Sequence, residues 1–280
     1  MGDLETKERQ LQEHLGRVSS LIVAYSGGVD SAYLAYAAHQ ALGARMLAVT
    51  ALSASYSQRD RAEAEAYARR FGLPHEFIET GELADPNYRA NHADRCYFCK
   101  DELFDQLDRL AAERGFAAIA YGMNLDDQGD WRPGERAARE HQVLAPLLDA
   151  GLTKADIREL ARRAELPVWD RPASACLASR LAYGLEVTPE RLAAVERGEE
   201  ALRGLGFRQF RVRHHDQLVR IEITPDELPR ALAPEMARQF LEIFKPLGFT
   251  YVTLDLEGYR QGSMNLVKLD SRFRGNDPSG

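Results

Sequence analysis

The chain carries near its N-terminus the stretch Leu21-Ile22-Val23-Ala24-Tyr25-Ser26-Gly27-Gly28-Val29-Asp30-Ser31. It opens with a continuous apolar run, which is typical of a strand buried on both faces. A glycine-rich turn follows, and residues 32–38 then have a helical composition. This order of strand, turn and helix predicts an anion site, because backbone N–H groups and the helix dipole converge on the turn.

The turn itself supplies the candidate phosphate-binding residues. Gly27 and Gly28 let a phosphate approach the backbone closely, and Ser26 and Ser31 add hydroxyl donors. Asp30 would repel a phosphate, so we expect it to cap the helix or to help hold Mg²⁺. The alternative is an ordinary glycine-rich turn, but the number of matching residues in this context favours phosphate binding.

Predicted strands and helices alternate through the first part of the chain. The strands are expected at residues 21–25, 46–51, 75–79, 117–121 and 143–147, and the helices at 4–18, 32–38, 58–71, 95–114 and 153–164. Asp94 and Thr153 are the expected N-caps, and Gly115 is a stop signal. The alternation predicts an α/β fold over residues 1–185, a parallel sheet with helices on both faces.

A smaller α+β domain is predicted over residues 186–270. Thr188-Pro189 opens a helix, residues 225–247 are mainly helical in pattern, and strands are expected at 210–214, 218–223 and 251–256. Residues 271–280 are polar and aperiodic, so we expect a disordered tail without a function.

Charged side chains alternate along the two paired strands of this domain. Arg211 and Arg213 fall on one face of their strand, and Arg220 and Glu222 share the polar face of the next. Such a face is either solvated or able to bind an anion, and the alternation alone favours neither.

Composition limits the class of protein. The 280 residues are 45% hydrophobic, which allows a sizeable core, and the net charge is −7 with a pI of about 5.6. An acidic chain argues against nucleic acid as the default partner. We found no run of ~18 apolar residues and no export signal, so we expect a soluble, cytoplasmic protein without a membrane partner.

A second loop follows the fourth predicted strand. It begins with Tyr121-Gly122-Met123-Asn124, at the sheet edge where α/β folds bind ligands. Gly122 permits close approach and Asn124 can hydrogen-bond a nucleotide. The acids Asp126, Asp127 and Asp130 are candidate Mg²⁺ ligands together with Asp30. A solvated acidic loop is an equally good interpretation of any single acid here.

Three cysteines stand out in a chain without an export signal. Cys96 and Cys99 lie one turn apart on a predicted helix, and Cys176 lies far along the chain. Three interpretations compete. The cysteines are small core residues, or they are zinc ligands with His92 as the fourth ligand, or they are three ligands of an iron–sulfur cluster. The residue pattern leaves these three interpretations open.

The Ser-Gly-Gly-Val-Asp-Ser turn resembles the PP-loop of the N-type ATP pyrophosphatases, which include GMP synthetase, NAD synthetase, asparagine synthetase and tRNA thiolases. Members of that superfamily cleave ATP between the α and β phosphates and leave AMP on a carboxylate or carbonyl oxygen. The resemblance therefore implies an ATP-dependent adenylylating enzyme. The rival interpretations are a tRNA thiolase, an amidotransferase, or a protein that binds nucleotide without chemistry.

Further motifs resemble one family, the sulfur transferase LarE. They are Arg95-Cys96-Tyr97-Phe98-Cys99-Lys100, Pro172-Ala173-Ser174-Ala175-Cys176-Leu177-Ala178-Ser179-Arg180 and Gly258-Tyr259-Arg260-Gln261-Gly262-Ser263-Met264-Asn265, with Arg132-Pro133-Gly134 and Arg211-Val212-Arg213-His214-His215 besides. LarE enzymes adenylylate the carboxylates of pyridinium-3,5-biscarboxylic acid mononucleotide and replace oxygen by sulfur. Their product is the pincer ligand of the nickel cofactor of lactate racemase.

The resemblance also implies cofactors, site residues and an assembly. Because all three cysteines are present, it implies a [4Fe-4S] cluster held by Cys96, Cys99 and Cys176, with ATP and Mg²⁺ as the other cofactors. The alternative is that Cys176 gives up its own sulfur and becomes dehydroalanine. Matching arginines (Arg180, Arg211 and Arg213) belong to a phosphate-binding region, and the family forms homo-oligomers, namely hexamers.

Overall fold

The structure is a computed structural model that describes residues 2–128, 133–171 and 175–260. It divides into two compact units, Met1–Ala175 and Cys176–Gly280. The sequence-based limits of the domains, 1–185 and 186–270, remain predictions. The tail expected at residues 271–280 lies outside the described residues.

The first unit contains a parallel four-stranded sheet in the order β3-β2-β1-β4. Its strands are β1 (Leu21–Ala24), β2 (Met46–Leu52), β3 (His75–Glu79) and β4 (Ala118–Tyr121). Its helices are α1 (Asp3–Gly16), α2 (Val29–Leu42), α3 (Gln58–Arg70), α4 (Pro86–Arg89), α5 (Arg95–Arg114), α6 (Pro133–Glu140), α7 (Pro146–Asp149) and α8 (Lys154–Arg163). The predicted α/β fold is confirmed.

Strand β1 is the centre of this unit because both of its faces are buried. Leu21 and Val23 pack into one hydrophobic cluster with residues of α1, α2 and α8. Ile22 and Ala24 pack into a second cluster with residues of α5 and α6. The apolar run read from the sequence therefore matches a strand covered by helices on both sides.

The fifth strand expected at residues 143–147 is wrong. Leu144 forms only an isolated parallel bridge with Ala120, through backbone hydrogen bonds to Tyr121 (3.0 Å) and Ile119 (2.8 Å). Pro146 then begins α7. Proline lacks the N–H that a ladder needs and its φ suits the first turn of a helix, so the run changes direction after one bridge.

Two of the three predicted helix-end signals of this unit are confirmed. Thr153 and Asp156 form a capping box at the start of α8. Gly115 ends α5 in the left-handed conformation, with φ of 73°. Asp94 occupies the N-cap position of α5, but its side chain makes no capping bond to any described residue. Its φ of −94° and ψ of 4° are not the extended backbone that a capping side chain requires.

The second unit contains a three-stranded sheet in the order β5-β6-β7. Strands β5 (Phe210–His215) and β6 (Leu218–Ile223) pair, as predicted, and run antiparallel, whereas β7 (Tyr251–Leu254) runs parallel to β6. The helices are α9 (Pro189–Gly204), α10 (Leu228–Ala231) and α11 (Pro234–Phe244). Gly198 lets α9 approach this core, since a Cβ there would lie 2.6 Å from the Phe244 ring. No helix of the described ranges is long and apolar enough to cross a membrane.

Candidate active site

The Ser-Gly-Gly turn joins β1 to α2 and is shaped by its own serines. Gly27 has a φ of 78°, which a residue with a side chain rarely adopts. The Ser31 hydroxyl accepts a hydrogen bond from the Ser26 backbone N–H (3.1 Å), contacts the Ser26 hydroxyl (3.0 Å) and donates to the Gly28 carbonyl (3.1 Å). The turn is thus closed on itself at the N-terminus of α2, and its role in phosphate binding stays a prediction.

A half-buried arginine supports this turn from outside it. Arg171 donates to the Gly27 carbonyl (3.2 Å) and forms ion pairs of 2.5 Å with Asp60 and Glu63 of α3. The Tyr56 hydroxyl donates a hydrogen bond to the Ser26 carbonyl (3.3 Å). No local pattern in the sequence singles out Arg171, because its partners lie far away along the chain.

Gly122 is fixed by its contact with the start of α2. A Cβ on Gly122 would lie 2.8 Å from the Ser31 backbone nitrogen and 3.0 Å from the Asp30 carbonyl carbon. Both atoms belong to the backbone and cannot move aside cheaply. The end of β4 therefore adjoins the phosphate turn, as the sequence led us to expect.

Asp30 does not cap α2, because Gly28 occupies the N-cap position. Its Oδ2 pairs instead with the ammonium group of Lys154, the first residue of α8. Burial raises the pKa of Asp30, and Lys154 opposes that rise. Its Oδ1 is buried and has no hydrogen-bond partner among the described residues. Lys154 was not among the residues predicted from the sequence, although the Thr153 cap marks the start of its helix.

The acidic loop after β4 is held by its own carboxylates. Asn124 is 1% exposed, and its side-chain oxygen accepts from the Asp126 N–H (2.9 Å). Asp127 accepts from the Asn124 N–H (3.1 Å), and Asp126 accepts from the Lys154 N–H (2.8 Å). Asp130 lies outside the described residues.

These contacts test the expectation of Mg²⁺. In ATP sites this ion is usually bound by one or two carboxylates together with the phosphates. Asp30 fits this role because its Oδ1 is the carboxylate oxygen in this region that is buried without a partner among the described residues. The other two acids already accept backbone hydrogen bonds.

Cys96 and Cys99 lie in the first turns of α5 and carry reduced thiols. Cys96 is exposed and Cys99 is half-buried, which argues against two small core residues. Helix α6 packs on this turn, because a Cβ on Gly134 would lie 3.3 Å from the Cys96 carbonyl oxygen. The Arg136 guanidinium also stacks on the Tyr97 ring at 3.7 Å.

The described residues contain no ready-made cluster of metal ligands. Within residues 2–128, 133–171 and 175–260, no group of three or more His, Cys, Asp or Glu side chains comes together in metal-binding geometry. Thiols are the ligands that iron–sulfur clusters use, so Cys96 and Cys99 fit two positions of such a cluster chemically. The cluster itself stays a proposal.

Cys176 opens a short 3₁₀ turn, Leu177–Arg180, in the second unit. Its thiol is exposed, whereas its carbonyl accepts from the Ser179 hydroxyl (2.7 Å) and from Arg180 (3.0 Å). Arg180 is 4% exposed and pairs with Glu199 of α9 at 3.0 Å. A buried ion pair therefore anchors the backbone of Cys176.

The charged face of β5 and β6 is not an ordinary solvated sheet face, because Arg213 and Glu222 are buried and Arg211 and Arg220 are half-buried. Glu222 is 0% exposed and binds both Arg213 (2.9 Å) and Arg220 (3.1 Å). Arg213 also donates to the Ser179 carbonyl (3.3 Å). Arg211 lies opposite Glu222 in the β5–β6 register, and its guanidinium stacks on the Tyr259 ring.

The structure brings the three predicted phosphate-binding arginines together within the second unit. Burial lowers the pKa of Arg211, and the positive charges of Arg180 and Arg213 lower it further. Glu199 could not be predicted from the sequence, because an acid on a helix gives no local sign that it is buried.

The chain was compared with known proteins. Residues 6–101 match the family model described as NAD synthase. The chain is also 34% identical to the pyridinium-3,5-bisthiocarboxylic acid mononucleotide synthase of Lactiplantibacillus plantarum, over 95% of this chain and 96% of the synthase. The chain belongs to the family of this synthase, the LarE family.

Two further relatives span the chain almost as fully. An uncharacterised protein of Synechocystis is 42% identical over 94% of this chain and 98% of its own length. One from Methanocaldococcus jannaschii is 30% identical over 86% of this chain and 90% of its own length. Membership of the LarE family confirms the PP-loop and makes the protein an ATP-dependent sulfurtransferase. The roles of individual residues remain predictions.

Proposed function

We propose that this protein adenylylates the carboxylates of pyridinium-3,5-biscarboxylic acid mononucleotide and replaces their oxygen by sulfur, as a step in the synthesis of a nickel-pincer cofactor. The observation that carries the proposal is the match, along nearly the whole of both chains, with a synthase named for the bisthiocarboxylic product. The phosphate turn and the charged face of β5 and β6 supply sites of suitable chemistry for the two substrates.

The residues proposed to bind ATP all lie in the first unit. The N–H groups of Gly27, Gly28 and the first turn of α2 receive the phosphates. Lys154, which pairs with Asp30, would contact a phosphate oxygen, and Asp30, whose Oδ1 has no partner among the described residues, would hold Mg²⁺. Bound Mg²⁺ would supply neutralisation of phosphate charge. Asn124 contacts the nucleotide beside the turn.

The phosphate of the mononucleotide would bind to the arginines on the charged face of β5 and β6 in the second unit. Arg180, Arg211, Arg213 and Arg220 meet three carboxylates there, which leaves one net positive charge. A buried excess of positive charge favours an anion, and guanidinium groups bind phosphate in a bidentate manner.

The sulfur reaches an activated acyl carbon. Adenylylation turns the carboxylate into an acyl donor; a sulfur nucleophile attacks its carbonyl carbon and AMP leaves. We propose that Cys96, Cys99 and Cys176 hold a [4Fe-4S] cluster, which when bound would supply a transferable sulfide. In the alternative, Cys176 is the nucleophile and gives up its own sulfur.

We further propose that the protein works in the cytoplasm as a homo-oligomer, a hexamer as the family resemblance implies. The second unit exposes four large apolar side chains that a partner subunit would cover: Leu232, Leu241, Tyr251 and Leu256 are 56%, 45%, 60% and 74% exposed. Light scattering of the purified protein measures the mass directly, and a 31.4 kDa monomer would contradict this part of the proposal.

Pyrophosphate release tests the reaction. Purified protein with MgATP should release pyrophosphate only when the pyridinium dicarboxylate mononucleotide is added, and mass spectrometry should find a sulfur-for-oxygen exchange in the product. ATP binding without pyrophosphate release would favour a nucleotide-binding protein without chemistry.

Elemental analysis and intact mass test the sulfur source. Anaerobically purified protein should contain iron and sulfide, and both Cys96→Ser and Cys176→Ser should lose them. Loss of H₂S from Cys176 after one turnover would show instead that the cysteine is sacrificed. Zinc without iron would exclude the cluster.

A further inference from the structure

Two adjacent histidines of β5 point to opposite faces of the sheet. His214 packs against Phe249, with 4.7 Å between ring centroids, and is 7% exposed. His215 follows it, so the period of a strand places it with Arg211 and Arg213 on the charged face. The proposed reaction assigns no role to either ring.

The His215 side chain has an unused polar atom. Its Nε2 is buried and has no hydrogen-bond partner in the described part of the chain. A buried polar atom without a partner is costly, so such atoms in native proteins usually serve a ligand or an ordered water. Burial lowers the pKa of His215, and the charges of Arg220 and Arg213 lower it further, so the ring is neutral near pH 7.

A neutral donor suits this position. The charged groups that act on the ring are Arg213 on β5 and Arg220 and Glu222 on β6. Arg211 shares their face of the sheet, and Asp255, just after β7, pairs with Arg220 at 3.6 Å. A fourth cation here would repel the arginines in the absence of a ligand. A neutral imidazole adds a hydrogen bond without adding charge.

We propose that His215 is a third contact for the phosphate monoester of the substrate, donating its Nε2–H to a phosphate oxygen beside Arg211 and Arg213. The inference rests on the proposed role of this face in phosphate binding. It also implies that a bound phosphate dianion stabilises the protonated ring, which raises the pKa of His215.

Binding of inorganic phosphate and of the mononucleotide, each followed by calorimetry, tests the contact. His215→Phe removes the donor and keeps a planar ring, so we expect the Kd for both ligands to rise about tenfold. His215→Gln keeps an N–H donor and should stay within about threefold of the wild type. His214→Phe is the matched control on the opposite face and should bind both ligands normally.

Arg211→Ala distinguishes a failure of the His215 contact from a failure of the whole phosphate-binding face. If it weakens phosphate binding and His215→Phe does not, the face binds phosphate but His215 is not a contact and its Nε2 holds only water. If neither substitution changes the Kd, the phosphate-binding role of the whole face is wrong.

Nuclear magnetic resonance of the wild-type protein keeps the test valid if a variant fails to fold. Titration of the ¹⁵N-labelled imidazoles should show an upward shift in the pKa of His215 when phosphate is added and no shift for His214. An unchanged pKa of His215 at saturating phosphate would overturn the proposal.

Discussion

Lys154 at the start of α8 pairs with Asp30 in the first turn of α2. In the absence of ATP, the two opposite charges of this pair neutralise each other beside the proposed phosphate site. Asp30 is mostly buried, so its carboxylate depends on this ammonium group.

Lys154→Met should therefore damage both catalysis and stability. We expect pyrophosphate release to fall by about 100-fold, with a higher KM for ATP, because one phosphate contact is lost. The free energy of unfolding should fall by about 1–3 kcal/mol, because Asp30 is left without its partner. Steady-state kinetics and urea unfolding measure the two effects.

Lys7 provides the control for this substitution. It pairs with Asp156 of the same helix at 2.9 Å, not with Asp30. Lys7→Met should lower stability modestly and leave the KM for ATP unchanged. An equal loss of activity in both variants would show that Lys154 acts only through the fold.

Gly122→Ala should disturb the phosphate turn. The new Cβ meets backbone atoms of Ser31 and Asp30 at 2.8–3.0 Å, so α2 or β4 must shift. Overpacking of this kind costs about 1–3 kcal/mol, and we expect weaker ATP binding as well. Thermal unfolding and nucleotide titration measure these changes. Gly16→Ala, at a position with nothing within 4 Å, should change neither quantity by much.

Glu222→Gln should be strongly destabilising. The carboxylate is 0% exposed and neutralises two arginines, so the amide leaves a buried excess of positive charge. We expect a loss of about 3–5 kcal/mol in urea unfolding. Glu235→Gln removes one partner of an exposed ion pair with Arg238 and should cost less than about 0.5 kcal/mol. Similar losses in both variants would contradict the buried role of Glu222.

The stability of the protein should decrease as the pH falls below about 6.5, with His214 as one cause. Burial lowers the pKa of His214 from 6.5 to about 4, so the unfolded chain takes up a proton that the folded chain refuses. The contribution of His214 is fully present above about pH 6.5 and is lost progressively down to about pH 4. At that lower limit the loss amounts to about 3 kcal/mol.

His214→Phe isolates this contribution. Urea unfolding of both proteins between about pH 7 and about pH 4.5 should show a smaller loss of stability in the variant, because it has no ring to protonate. Parallel curves for the two proteins would mean that other groups cause the decrease.

Local patterns were enough to predict the parallel sheet and the phosphate turn. The apolar run of β1 and the glycines beside it are contiguous in the sequence, and so are the Thr153 cap and the Gly115 stop. The fifth strand failed because the preference of Pro146 for a helix start overrode an apolar run.

The supporting residues could not be predicted in this way. Lys154 lies 124 residues from Asp30, and Arg171 lies 144 residues from Gly27. Glu199 and Glu222 look like ordinary surface acids in the sequence, and only the packing of the second unit shows that they are buried. Partners of this kind depend on tertiary structure and leave no periodic signal.

The anchoring of Cys176 has a consequence for the life of the enzyme. Ser179 and Arg180 bind its main-chain oxygen, and none of these bonds involves the sulfur. The same polypeptide framework can therefore hold a thiol, a metal-bound thiolate or a residue that has lost its sulfur. A spent protein would keep its shape, and restoring the side chain would not require refolding.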